Sequence, residues 1–279
     1  MSGGPMDEDD TGMPTWLSAT SYWQPQHYPE SAWITHAPFA FWLVDVLRPT
    51  TVVELGTHNG YSCFVFAEAL RRLRLTGTVN ALDSWEGDEH MGAYGESVYE
   101  RFMPVVRSEY PDLVKPLRGY FATSRPQFRE ATADLLHIDG RHGYDDVLED
   151  YTLWRPTVRE GGMILFHDTA ERKAGFGVWR LWEQLVAENP TRSFSFEHGH
   201  GLGVLAIGEV SDPRLRALFE ADDETISRVR ADYEKLGDEV QRRADNDQAQ
   251  ADLAALVETL SWRITRPLRR MKSRVRPGP

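Results

Sequence analysis

The feature that most constrains the fold is a regular exchange of short apolar, β-branched runs with helical stretches between residues 51 and 207. Residues 51–55 end at Gly56, as a buried parallel strand should, and 61–73 read as the helix that follows, with Phe64, Ala67 and Leu70 on one face. Residues 79–82, 113–117, 134–138 and 163–166 read as further strands, the last entered through a turn at Gly161-Gly162. Helices are expected over 98–106, 144–154 and 177–187. Strands separated by helices mean βαβ units and a mainly parallel sheet covered on both faces. Residues 193–196 and 202–207, around a Gly/His turn, read as a closing antiparallel hairpin. The expected fold is α/β: a doubly wound, seven-stranded, Rossmann-like sheet with a C-terminal helical tail.

The flanks have a different texture. Residues 1–30 are rich in Gly, Pro, Asp and aromatic residues, and read as an arm ordered where Trp16, Tyr22 and Trp23 find a surface. A helix on a core is expected over 32–47, closed by Pro49, so the main domain spans 31–210. In 211–260, Ile226, Val229, Tyr233, Leu236 and Val240 recur at three- and four-residue steps, which predicts a helix with a partner-facing seam. The seam fails at Arg243, Asp247 and Gln250 and resumes out of phase at Leu253, Leu256 and Leu260, so a short or interrupted coiled coil and a homo-oligomer are expected.

The formal charge of −12 excludes a general nucleic-acid binder, which needs a basic face for phosphate. Seven of the 31 cationic residues lie in 261–279, which carries no acid; the other 260 residues hold 24 against 43 acidic groups. Interleaved with Trp262, Ile264 and Leu268, that basic tail suits an anionic lipid surface or an acidic partner as well as a solubilising role. Cys63 alone cannot form an internal disulfide, no apolar run reaches the roughly 20 residues of a membrane span, and the acidic N-terminus has no signal-like core. A cytoplasmic protein is expected, with association to the cytoplasmic membrane face through the tail as an added reading.

Ligands of open α/β sheets sit beyond the carboxyl ends of the strands. Polar residues gather at four such ends: Glu54, Gly56 and Gly60 after the first strand, Asp83 after the second, Asp139 and His142 after the fourth, His167 and Asp168 after the fifth. Gly56 and Gly60 are four apart and do not form the G-x-G-x-x-G of dinucleotide binders, which disfavours a nicotinamide-dependent dehydrogenase. Singly, each of these residues could be an ordinary turn residue; together they predict one ligand site.

The run Glu54-Leu55-Gly56-Thr57-His58-Asn59-Gly60-Tyr61-Ser62 resembles the cofactor motif of class I S-adenosylmethionine (SAM)-dependent methyltransferases of the catechol O-methyltransferase type. The stretches 135–146 and 161–169 resemble a bacterial sugar O-methyltransferase branch associated with surface-glycan and natural-product biosynthesis. The resemblance covers about 31–208, and a short motif in 261–270 resembles tails of glycan-assembly proteins.

That resemblance implies a SAM-dependent O-methyltransferase acting on a small-molecule or glycan acceptor, such as a sugar hydroxyl in polysaccharide biosynthesis; a catechol-like phenol and a non-catalytic glycan-assembly scaffold are the alternatives. Glycine-flanked N–H groups and Ser62 would meet the cofactor carboxylate, Glu54 its ammonium and Asp83 the ribose, with Ser84 beside it and Trp85 against adenine. Asp139 and Asp168 fall on the acidic positions of the family's magnesium site. Thr169 replaces the amide of the third ligand, so His167 or His142 would substitute, and a histidine would shift preference toward manganese, iron or zinc. The position of the family's general-base lysine holds His142, an imidazole able to take the acceptor's proton. The loop 85–95 would fold over the site, with His90 and Tyr94 touching acceptor; Cys63 and the stripe Trp179, Leu181, Trp182 and Leu185 read as core, and His198 and His200 as turn residues.

Overall fold

The computed structural model describes residues 12–87 and 96–258. His90, Tyr94 and the basic tail lie outside them, as does Leu260. The chain divides into two compact units, Met1–Val240 and Gln241–Pro279.

The described residues of the first unit hold a seven-stranded sheet: β1 (Thr51–Leu55), β2 (Thr78–Asp83), β3 (Val114–Arg118), β4 (Ala133–Ile138), β5 (Val158–His167), β6 (Ser193–Phe196) and β7 (Leu202–Ala206). Their order is β3-β2-β1-β4-β5-β7-β6. The first five pair in parallel, and β7 runs antiparallel to both β5 and β6. This is the expected doubly wound sheet with its closing hairpin. Strand order reverses between β1 and β4, and Leu55 lies level with both Leu82 and Ile138. The loops that leave these strands therefore open on one rim, at the switch point where such sheets bind ligands.

Gly161-Gly162 is not a turn into β5. It lies inside a ten-residue strand, where Gly161 takes φ +72° and the pairing with β4 shifts register between Ala133 and Leu135. An irregularity of this kind kinks a strand without ending it.

The helices are α1 (Ala37–Leu47), α2 (Tyr61–Arg72), α3 (Glu96–Glu109), α4 (Phe121–Ser124), α5 (Tyr144–Trp154), α6 (Val178–Glu188), α7 (Pro213–Phe219) and α8 (Asp223–Glu258). Alternation along the strands sorts their side chains between two faces. Val53, Leu55, Ile138 and Phe166 pack with Val147 and Trp154 of α5 and with Leu181, Trp182 and Leu185 of α6. Trp179 of the same stripe is only half-buried; its indole donates to the Phe176 carbonyl. Glu54 and His137 face the other side, toward α2.

Residues Tyr61 to Leu70 of α2 are all buried, not a single stripe of them. The N-terminal arm supplies the extra cover. The Gln26 amide donates to Glu68 Oε2 at 2.9 Å, His27 sets its ring edge on Phe64, and the Arg72 guanidinium lies 3.7 Å from the Trp23 ring centroid. Trp16 is buried, with its indole donating to Asp232, whereas Tyr22 is exposed.

α8 is one unbroken helix of 36 residues, so the lapse in its apolar pattern does not interrupt it. In the first unit its seam is covered by the same chain. The Tyr233 hydroxyl donates to the Trp16 carbonyl, its ring packs on Phe39 and Phe196, and Arg230 donates to the Ser195 carbonyl. In the second unit, Gln241 to Asp245 and Gln248 to Asp252 are hydrogen bonded one turn apart, and Leu253 and Leu256 are exposed. Among the described residues no helix is long and apolar enough to cross a membrane.

Candidate active site

The loops after β1 to β5, the end of the arm and the β6–β7 turn line a cavity of about 1020 Å³. Of the residues expected to hold a ligand, Gly56 to Ser62, Asp83, Ser84, Asp139, His142, His167 and Asp168 all lie on its wall.

Both glycines of the β1–α2 loop have positive φ, +94° at Gly56 and +88° at Gly60. A Cβ on Gly56 would overlap the Asp139 carbonyl oxygen, and one on Gly60 would come 2.5 Å from the Phe102 ring. These glycines are therefore required by the protein's own neighbours, the β4 loop at Gly56 and the Phe102 ring of α3 at Gly60. The Asp139 amide donates to the Leu55 carbonyl at 2.8 Å, carrying strand pairing into the loops. Gly60 is the N-cap of α2, whose first turn has no side-chain cap. First-turn N–H groups are suited to an anion, and the helix dipole adds to this. Thr57 Oγ1 on the wall is buried without a protein partner, which marks it as a contact for a ligand or water.

Asp83 is buried at the end of β2. Its Oδ2 accepts from the His58 amide at 2.8 Å and its Oδ1 from the Trp85 amide at 2.7 Å. Each carboxylate oxygen retains a second lone pair for a ligand hydroxyl.

Three expectations need correction. Glu54 does not reach the cavity: period-two alternation turns it toward α2, where Oε1 accepts from Ser62 Oγ at 2.6 Å and lies 3.2 Å from His137 Nδ1. The Ser62 hydroxyl proton is thereby committed, while Ser62 itself lies on the cavity wall. Trp85 is fully buried behind the wall. Its indole donates to the His58 carbonyl and its ring packs on Phe102 and Tyr99, so no face is open to adenine. Gly119, Tyr120 and Phe121, which follow β3, line the cavity instead. Thr169 is buried and is not part of the wall.

The third correction concerns His167. Its Nε2 is 3.1 Å from the Gly199 carbonyl oxygen, which can only accept; its Nδ1 is 3.2 Å from Asp139 Oδ1 and 3.5 Å from Asp168 Oδ2. Both nitrogens must carry protons. Burial opposes that charge, but the two carboxylates outweigh it and hold the ring protonated well above the ordinary histidine range. The same contacts hold Asp139 and Asp168 below theirs, against burial. His167 thus bridges the two acids, and it is not among the three residues whose donor atoms cluster for an ion.

His142 Nε2 lies 2.9 Å from Asp168 Oδ2, and its ring stacks on Phe176. One donor atom from each of Asp139, His142 and Asp168 falls within 4.8 Å of the others. Two carboxylates and an imidazole at that spacing fit a divalent ion.

Residues that the sequence did not assign to a ligand complete the wall. Glu30, Ser31, Ala32 and Trp33 come from the arm, where the Glu30 carbonyl accepts from Asn59 Nδ2. Asp150 joins from α5, pushed up to about 7 by burial and by Glu149 beside it. Glu171, Lys173 and His200 form a hydrogen-bonded group at one edge. The signal for His200 was available, since the run His198-Gly-His-Gly201 sits at a hairpin tip on the ligand-bearing rim.

Residues 53–169 match the profile of a family described as a methyltransferase domain. The protein y4gI of Sinorhizobium fredii (strain NBRC 101917 / NGR234), itself uncharacterized, is 43% identical over 180 residues, covering 64% of this chain and 20% of its own. The chain thus spans about a fifth of that relative's length. A Staphylococcus aureus structure, described as a candidate caffeoyl-CoA O-methyltransferase, is 12% identical and superposes with a TM-score of 0.50, covering 62% of this chain and 82% of its own. The O-methyltransferase TomG of Streptomyces achromogenes, solved with SAM, is 18% identical with a TM-score of 0.48, covering 70% and 97%. Residues 53–169 are thus similar to a methyltransferase domain, and the Staphylococcus aureus structure shares the α/β sheet.

Proposed function

We propose that this methyltransferase domain moves a methyl group from SAM to a hydroxyl of a sugar or glycan. The observation that carries the reading is the meeting of Asp83, the uncapped α2 N-terminus and the His142–Asp168 pair on one cavity. When bound, SAM supplies a methyl made electrophilic by its sulfonium. Asp83 offers its outer lone pairs to the two ribose hydroxyls. The α2 amides and Thr57 take the carboxylate, and Ser62, with its proton held by Glu54, accepts from the ammonium. His142 takes the acceptor's proton, and the ring that results is stabilised by Asp168. The loops hold the two reactants in line, which accounts for much of the rate in a reaction with so reactive a donor.

With His142 acting as the base, Asp139 and Asp168 are the residues that would hold a divalent ion such as magnesium or manganese, and it would lower the acceptor hydroxyl's pKa. Glu149, Asp150, Glu171, Lys173 and His200 give the cavity many hydrogen-bonding groups, which supports a polyhydroxyl acceptor over a flat phenol.

Transfer of labelled methyl from SAM to a panel of glycosides, nucleotide sugars and catechol tests this, with and without chelator. Sugars should be methylated in preference to catechol, and His142→Ala should lower turnover by about 100-fold or more. Sensitivity to chelator would assign the ion a role; an Asp139→Ala/Asp168→Ala protein working at the wild-type rate in chelator would remove the ion and both carboxylates from the scheme.

A further inference from the structure

The β6–β7 turn carries a second acid-held imidazole into the cavity, distinct from His142. The Gly199 carbonyl accepts from His36 Nε2 at 3.0 Å and from His167 Nε2 at 3.1 Å, and the Ala170 amide donates to the His200 carbonyl at 2.9 Å. Three successive residues, Gly199, His200 and Gly201, have positive φ, at 56°, 68° and 91°. A non-glycine residue is held in that region only where its surroundings over-determine it. Thr35 and His36 crowd the place where a Cβ on Gly199 would sit, and Thr169 and Ala170 that on Gly201, so both positions require glycine.

The ring presented by this turn is partly exposed and is oriented by a carboxylate. Its Nδ1 lies 3.1 Å from Glu171 Oε2, and the same oxygen accepts from Lys173 Nζ at 2.8 Å. The Lys173 amide donates to Glu171 Oε1 at 3.1 Å. Paired with the Lys173 ammonium, the Glu171 carboxylate acts only as an acceptor. Nδ1 must therefore carry the proton, and in the neutral ring Nε2 is left as an acceptor. His200 lines the cavity, with its ring centroid 6.4 Å from that of His167, which touches Asp139 and Asp168.

We propose that His200, oriented by Glu171, is a specificity-determining residue whose Nε2 accepts a hydrogen bond from an acceptor hydroxyl other than the one methylated. The proposal rests on the sugar-methyltransferase reading and deepens it: two imidazoles, each steered by its own carboxylate, would engage two different hydroxyls of one acceptor and so select the position methylated.

Binding to protein loaded with S-adenosylhomocysteine tests this without turnover. The probes are methyl α-D-glucopyranoside and its four monodeoxy analogues, measured by calorimetry on the wild type, His200→Ala and His200→Gln. In the wild type, removing the hydroxyl read by His200 should cost about fivefold in affinity, the worth of one hydrogen bond. That one penalty should vanish in His200→Ala, with the other deoxy penalties intact, and return in His200→Gln, whose amide oxygen can accept. Identical deoxy profiles in wild type and His200→Ala would overturn the proposal. A loaded wild type that binds none of the sugars would remove the sugar reading and the proposal with it, whereas a chain that fails to bind S-adenosylhomocysteine would mark failure of the methyltransferase reading itself.

Discussion

Gly56 and Asp134 hold opposite ends of the central strands, Gly56 at the ligand-bearing rim and Asp134 where β1 and β4 begin. Substituting Ala at Gly56 would set a Cβ onto the Asp139 carbonyl at a φ of +94°. Gly56→Ala should lose at least about 2 kcal/mol of stability, or else open the β1 and β4 loops and weaken cofactor binding. Thermal denaturation beside a SAM titration would distinguish the two. Asp134 ties the start of β1 to β4 and β5, accepting from the Thr50 amide and hydroxyl, the Thr51 amide and Arg159. Burial opposes its charge, but these donors prevail and its carboxyl ionises below the ordinary range. A carboxyl whose folded pKa is depressed stabilises the fold fully above its unfolded value of about 4, and that share is lost as pH falls through the lower folded value. Asp134→Asn should therefore cost about 2 kcal/mol at pH 7, with the gap to wild type narrowing below about pH 4; urea midpoints across that range would measure it.

Among the elements, the strands were the most legible in the sequence, and the reason is physical. A buried parallel strand is an apolar run closed by a turn residue, and β1 and β6 have the bounds expected from that pattern alone. The polar residues at their carboxyl ends then point to one rim, because the topology leaves them no other. Which way a side chain turns at a strand's end depends on face and on neighbours distant in sequence. Thus Glu54 and Trp85, next to wall residues in sequence, lie behind the wall. Cover for α2 by an aperiodic arm could not be read from α2 itself.

The seam of α8 was legible as periodic, but not what it packs against. Gly237 shows how close that packing is. Its missing side chain leaves room for the Thr35 carbonyl, which would lie 2.5 Å from a Cβ. Ala is favoured over Gly by about 1 kcal/mol within a helix. Gly237→Ala should nevertheless destabilise, by about 1–3 kcal/mol, because the overlap is with backbone and cannot be relieved by a rotamer change. A raised melting temperature would show instead that α8 and the Thr35 segment separate readily.

At the scale of the whole molecule, the sheet's switch point turns five separate loops into one cavity, and the central claim is that this cavity holds SAM. The scaffold alternative makes no such demand, since a protein that only recruits partners could keep the sheet without the ligand. Calorimetric titration of SAM into the full chain, repeated with Asp83→Ala, tests the claim most directly. The account predicts saturable one-site binding by the wild type and at least about tenfold weaker binding by a folded Asp83→Ala protein, which loses both the loop anchor and the ribose acceptor. A wild-type chain that gives no binding heat, displaces no labelled SAM and gains no thermal stability from it would contradict the account, as would equal affinity in the two proteins.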